Sequence, residues 1–142
     1  MQNFSSKFIL FLILFIAFLL ISCREEINSP DKFARNVNEP LEANNFNSYT
    51  FLIDADKISI DYDKRPDFTS FNTRISITIS DYSSGTIRIN VKDSQSENRF
   101  SYFGNNNEDF YTELLNGFIP YSIELATTNF TGKLKIQLSR AY

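Results

Sequence analysis

Histidine and tryptophan are absent from the 142 residues, and cysteine occurs once, as Cys23. Without histidine there is no Ser-His or Cys-His nucleophile pair and no His-ligated metal. A lone cysteine excludes an internal disulfide and a multi-Cys zinc cluster. Basic residues are few and scattered: 14 Lys+Arg stand against 17 Asp+Glu, a formal charge of −3. No Lys/Arg-rich stretch is available to neutralise phosphates, so nucleic acid is not an expected partner. The length allows one domain with one core.

What the chain has in plenty is phenylalanine, 15 residues, and the first of them crowd the N-terminus. A short polar start ending at Lys7 is followed by fourteen consecutive apolar residues, Phe8 to Ile21. At about 1.5 Å per residue this run would cover about 21 Å of a hydrocarbon core about 30 Å thick, so a secretory signal fits better than a membrane span. Leu20-Ile21-Ser22-Cys23 directly after it resembles the lipobox of bacterial lipoproteins: branched apolar residues, a small residue, then cysteine. In that family the cysteine thiol is alkylated with diacylglycerol and the signal is cut just before it. The resemblance therefore implies that Cys23 is the lipidation site, that fatty acyl chains such as palmitate tie the protein to the membrane, and that residues 1–22 are removed. A thiolate at a membrane surface is a suitable nucleophile for that transfer. Several acyl chains, at about 0.8 kcal/mol per buried methylene, anchor far more firmly than one. The alternative is a signal anchor whose cysteine is incidental.

Arg24-Glu25-Glu26 follows the cysteine and resembles the short surface-export signal of lipoproteins in the Bacteroidota; the alternative is simply a charged start to a tether. From there to Asn47 the chain is polar, broken by Pro30 and Pro40 and rich in asparagine, and reads as a flexible spacer. The expected organisation is a signal peptide at 1–22, a lipidated cysteine and tether at 23–47, and a folded domain at 48–142.

The domain alternates apolar and polar residues with the period of half-buried strands. Tyr49, Phe51 and Ile53 share one face, whereas Ile58, Ile60 and Tyr62 take the opposite parity, which requires a bulge or tight turn near Asp54-Ala55-Asp56-Lys57. Ile75, Ile77 and Ile79 point one way, Asp81 to Gly85 reads as a turn, and Ile87, Ile89 and Val91 follow. Further strands are expected around Phe100 to Phe103, Phe110 to Leu115 and Ile119 to Leu125, with Leu134, Ile136 and Leu138 inward on the last. Seven or eight strands without a helix make an all-β, antiparallel β-sandwich. The run from Ser84-Gly85-Thr86-Ile87 to the end, including Phe130-Thr131-Gly132-Lys133-Leu134, is similar to the small Ig-like or pre-peptidase-C-type sandwiches of bacterial secreted proteins, a likeness that implies a fold and no activity.

Two groups of residues are candidates for binding. Asp54, Asp56, Asp61 and Asp63 concentrate hard oxygen ligands, and residues two apart on a strand point the same way, as a calcium site would use. Lys57, Lys64 and Arg65 lie among them and no glycine-rich calcium loop is present, so a salt-bridged strand end is the favoured reading and no metal or other cofactor is expected. Tyr102-Phe103 and Phe110-Tyr111 flank the polar loop Gly104 to Asp109. Strand neighbours point to opposite faces, so at least two of these four rings are expected to lie exposed, as a small patch for a glycan or an extended peptide; the alternative is that they cap the end of the sandwich. No carboxylate pair stands out for glycosidase chemistry, and a hydrolase is the remote reading. The expected role is a non-catalytic binding or interaction module, lipid-anchored at the cell envelope, with the outer membrane and its surface favoured. The alternative is an accessory subunit of a larger envelope assembly. Cys23→Ala should abolish acyl labelling and leave the precursor uncut; equal incorporation of labelled fatty acid by wild type and variant would overturn the lipoprotein assignment.

Overall fold

A computed structural model of the chain describes residues 36–67 and 69–141, so the lipobox with Cys23 and the Arg24-Glu25-Glu26 triplet lie outside the described residues. Within them run seven antiparallel strands: β1 (Leu41–Asn44), β2 (Ser48–Ile58), β3 (Asp61–Lys64), β4 (Asn72–Lys92), β5 (Asn98–Gly104), β6 (Glu108–Asn116) and β7 (Ser122–Arg140). Among the described residues no helix is long and apolar enough to cross a membrane.

The pairing resolves into four long ribbons. β2 and β3 run end to end along β7, Ser48 beside Ser139 and Lys64 beside Ile123. β5 and β6 run end to end along β4, Asn98 beside Lys92 and Asn116 beside Asn72. β4 and β7 pair with each other through most of their length, from Thr73–Arg140 to Lys92–Ser122, and β1 adds outside β2. One line crosses all four ribbons. It passes through Lys57–Ile60 between β2 and β3, Thr128–Gly132 in β7, Asp81–Gly85 in β4 and the loop at 105–107 between β5 and β6. Here the backbone leaves the extended region: φ is 52° at Lys57, 52° at Asp81, 88° at Gly85, 48° at Asn129 and 148° at Gly132. The ladder slips as well. Ser80 faces Lys133, Ser84 faces Thr131 and Thr86 faces Thr128, so first β4 and then β7 carries extra residues. Such bulges bend a strand and sharpen its twist. The sheet is therefore creased and folded over on itself, a β-sandwich-like fold in which β4 and β7 belong to both layers. The first layer holds β1, β2, β6 and the halves of β7 and β4 that pair with them; the second holds β3, β5 and the other halves.

Alternation places the apolar residues of both layers inside. Tyr49, Phe51 and Ile53 meet Ile75, Ile77, Ile79, Leu134, Ile136 and Leu138 from the first layer and Ile87, Ile89, Val91, Ile123 and Leu125 from the second in one buried core. β-Branched isoleucine suits such pleated, packed positions, and each full burial contributes about 1.5 to 3 kcal/mol. The parity change expected near Asp54 to Lys57 occurs as a register shift between Ala55 and Ile58. Buried Thr127 fastens this break. Its Oγ1 accepts from the Ile60 amide at 3.1 Å and donates to the Ile58 carbonyl at 3.1 Å, and its own amide donates to the Ile60 carbonyl at 2.9 Å.

Two sequence expectations need correction. The sheet begins at Leu41, inside the stretch read as tether. β1 is exposed along nearly its whole length, so it shows no apolar alternation, and backbone pairing with asparagine side chains holds it instead. Asn38 Oδ1 accepts from the Asp56 amide at 2.8 Å, Asn44 Oδ1 from the Asp67 amide at 2.8 Å, and Asn45 Oδ1 from the amides of Asn47 and Ser48 at 3.0 Å each. Second, Asp81 to Gly85 does not reverse the chain but bends β4, and Ile119–Leu125 and Leu134–Leu138 belong to one approach and one long strand, β7. A bend and a reversal draw on the same residues, Ser, Gly, Asp and Asn; only the packing of the following segment separates them.

Gly85 is the tightest point of the crease. A Cβ there would sit 2.3 Å from the Asn129 carbonyl oxygen, and φ of 88° strains any side chain. Gly117, in the turn before β7, has φ of 82° but open space around it. Gly85→Ala should therefore cost about 2 to 5 kcal/mol and Gly117→Ala about 1 to 2 kcal/mol. Matching thermal melts for the two variants would show that the crease does not need the close approach.

Candidate functional site

With the interior filled, the candidate site is a surface feature, on the outer face of the second layer. Alternate residues of β3, β7, β4 and β5 point outward there, and the register aligns them into rows. One row reads Asp61, Ala126, Arg88, Phe103; the next reads Asp63, Glu124, Asn90, Ser101. At about 4.8 Å between strands, each row is about 14 Å wide. A groove of about 290 Å³ lies over the β3–β7–β4 part, between the acids and Arg88, with small Ala126 in its lining. A second depression of about 410 Å³ shares Arg88 and Asn90 with it and runs on to Ser101 and Phe103.

Polar contacts hold part of this face in place. Ser122 Oγ donates to Asp63 Oδ1, and Lys92 pairs with Glu124. Asn98 Nδ2 donates to Ser101 Oγ at 2.6 Å, which donates in turn to Asn90 Oδ1 at 2.9 Å. The side chains of Asp61 and Arg88 make no hydrogen bond or ion pair among the described residues, so a carboxylate and a guanidinium face the groove uncommitted. Phe103, 57% exposed, closes the far end of Arg88's row. The β4–β5 turn beside this face is built on Asp93, buried, whose Oδ1 accepts from the amides of Gln95 and Glu97 at 2.8 and 3.1 Å and whose Oδ2 accepts from Arg99 Nε at 2.6 Å. The Arg99 bond, with those two amides, holds the Asp93 carboxyl below the usual range.

The four acids considered as a calcium site divide between two places. Asp54 lies opposite Lys133 in the first layer and Asp56 beside the crease, whereas Asp61 and Asp63 belong to the groove. Among the described residues no three His, Cys, Asp or Glu side chains gather to hold a metal ion. The four rings divide too. Tyr102 and Tyr111 turn inward and meet across the layers with centroids 5.0 Å apart, and Phe100 approaches Tyr111 at 6.2 Å. Phe103 and Phe110 turn outward, 57% and 64% exposed, the first on the second layer and the second on the first, so the structure does not bring the four into one patch. Arg88 and Asn90 alternate with the inward Ile87, Ile89 and Val91, but strand order alone makes them and Glu124 neighbours of Asp61 and Phe103. Sequence reasoning also missed Phe46 and Phe71, each 64% exposed, and Tyr121 at 41%, at the end of the sandwich away from the crease. Arg140 lies over the Phe46 ring at 4.6 Å and Arg65 over the Tyr121 ring at 4.3 Å.

Tyrosines seal both long edges of the sandwich. At one, Tyr62 of β3 packs on Phe51 of β2 at 5.1 Å and donates its hydroxyl to Glu42 of β1, with Lys64 3.7 Å from the same carboxylate. Burial, then the Glu42 carboxylate, pushes the Tyr62 phenol up to about 12 and raises the buried Tyr49 phenol as well. At the other edge Tyr111 donates to Glu113, and that bond, then burial, pushes it up to about 12; burial and Glu108 raise Tyr102.

No family model matches the chain, and no curated protein matches it. Among solved structures it is similar to the SPBc2 prophage-derived protein YomS, at 12% identity and a TM-score of 0.38 over 74% of this chain and 96% of that one. It is also similar to the Glycosylation Associate Protein (Gap123) complex from Streptococcus agalactiae, at 13% identity and a TM-score of 0.36 over 78% of this chain and 43% of that one.

The sealed edges set an alkaline limit. Phenols that titrate near 10 when unfolded and near 12 when folded contribute stability that is complete below pH 10 and lost as pH rises through 12. The melting temperature should fall between pH 10 and pH 12, and less steeply in Tyr62→Phe, which at lower pH gives up one hydrogen bond worth about 1 kcal/mol. A melting temperature unchanged across that window would contradict the sealing role.

Proposed function

We propose that the protein is a lipid-anchored, non-catalytic binding module of the cell envelope, and that it holds a glycan chain across the outer face of its second layer. The observation that carries this reading is the aligned pair of rows from Asp61 and Asp63 to Phe103 and Ser101, with the groove between them. Sugar hydroxyls both donate and accept, so they suit a surface that mixes carboxylates, a guanidinium and amides; the apolar face of a sugar ring suits an exposed phenyl. The open, shallow shape fits a chain lying across strands better than a small molecule enclosed on all sides. The lipobox-like Leu20-Ile21-Ser22-Cys23 supports the anchor, and Arg24-Glu25-Glu26 supports display on the outer surface of the outer membrane. The polar residues that separate Cys23 from β1 would carry the domain clear of the lipid headgroups.

Affinity electrophoresis through gels containing envelope polysaccharides tests the reading. At least one polysaccharide should retard the wild-type protein. Phe103→Ala and Arg88→Ala should each weaken that binding by roughly 2- to 30-fold, equivalent to about 0.5 to 2 kcal/mol, without moving the thermal melt. Retardation that survives both substitutions would place binding elsewhere, and the absence of retardation by every polysaccharide, with an extended peptide bound instead, would replace the glycan by a peptide.

A further inference from the structure

The free edge of β6 carries information the binding face does not. β6 closes the first layer: it pairs with β4 on one side, from Asn116 opposite Asn72 to Glu108 opposite Ile79, and with no strand among the described residues on the other. Gly117, just past its end, donates its amide to the Phe71 carbonyl at 3.0 Å, across the continuation of the Asn72–Asn116 register. In an antiparallel ladder the bonding direction alternates, so Leu115, Glu113 and Tyr111 turn their backbone groups toward β4, whereas Leu114 and Thr112 turn theirs to the open edge. Phe110 follows beside the register shift between Ile77 and Ile79. The side chains of Phe110 and Leu114, 64% and 48% exposed, stand on the outer face of the same stretch. Natural edge strands are normally short, charged or covered; this one carries Glu108, Asp109 and Glu113, yet it exposes Phe110 and Leu114 along the stretch whose backbone groups turn outward.

We propose that β6 pairs antiparallel with β6 of a second copy of this chain, centred on Thr112, so that the first layer runs unbroken through a two-fold dimer. The sequence of the strand selects both occupant and register. With Thr112 opposite itself, Phe110 faces Leu114 twice and Tyr111 faces Glu113 twice, while Asp109 faces Leu115 and Glu108 faces Asn116; no two acids oppose each other. Centring on Glu113 would set that acid against its own copy, and centring on Tyr111 would set Asp109 against Glu113, both unfavourable. Centres on Phe110 or Leu114 would also set outward-turned groups opposite each other, but Thr112 is the midpoint of Glu108–Asn116, so its centre pairs the strand over its whole length. Such a pairing is isologous and closes on itself, which leaves the second layer's binding face open on both copies.

Single-cysteine variants of the full chain read the register directly. Cα atoms of a hydrogen-bonded antiparallel pair are about 5.5 Å apart, within disulfide reach. Under mild oxidation Thr112→Cys should give a disulfide-linked dimer in high yield, beyond whatever Cys23 gives in the wild-type chain. Phe110→Cys and Leu114→Cys should each give little alone and a linked dimer when mixed. No Thr112→Cys dimer from protein that melts like wild type would overturn the proposal, as would equal yields from all three single variants. A linked dimer only from Phe110→Cys or Leu114→Cys alone would overturn the register. Sedimentation of the wild-type chain in detergent should show a dimer that Leu114→Glu converts to monomer; a wild-type chain that sediments as a monomer would also refute it.

Discussion

Everything in this fold depends on one crease. A flat antiparallel sheet of four ribbons would leave one apolar face in water; doubling it over buries that face against itself. The bend is possible because residues that tolerate a left-handed backbone fall at the same level in adjacent ribbons: Lys57 in β2, Asp81 and Gly85 in β4, Asn129 and Gly132 in β7. Each would be a local expense in a regular strand. Placed in line, they let Ile75, Ile77 and Ile79 of β4 meet Ile87, Ile89 and Val91 of the same strand inside one core.

The crease also determines where chemistry can lie. With isoleucines packed inside the doubled sheet, the polar side chains stand on the outer faces, the edges and the loops. The edges on the core side are closed by tyrosines whose hydroxyls reach glutamates, Tyr62 to Glu42 and Tyr111 to Glu113. A phenol is well suited to that position, with its ring in the core and its oxygen at the rim. The outer face of the second layer then offers rows of short polar side chains between Asp61 and Phe103, held level by the pleat, while the outer edge of β6 offers backbone groups. These surfaces are separate, and a ligand on one leaves the other free.

Strand parity was legible in the long strands β2, β4 and β7. The inward runs Tyr49–Ile53, Ile75–Ile79, Ile87–Val91 and Leu134–Leu138 could be read from spacing, and so could the break near Asp54 to Lys57, because a change of apolar parity requires an extra residue. β1 could not be read. It buries nothing of its own, and the asparagines that secure it have the composition of a spacer. The candidate site was half legible. Phe103 and Asp61 stood out by residue type, but they are 42 positions apart in the chain, and only the order β3, β7, β4, β5 brings them to one face.

By itself the sequence determined the strand class, the faces and most residues of the core, because these depend on spacing within a dozen residues. The tertiary structure decided that Asp81 to Gly85 bends a strand instead of ending it, that Tyr102 and Tyr111 point inward while Phe103 and Phe110 part to opposite layers, and that β6 is an edge. A bend and a turn have the same local chemistry. They differ in which distant segment the chain meets next, and that is settled by how the whole sheet buries its apolar face.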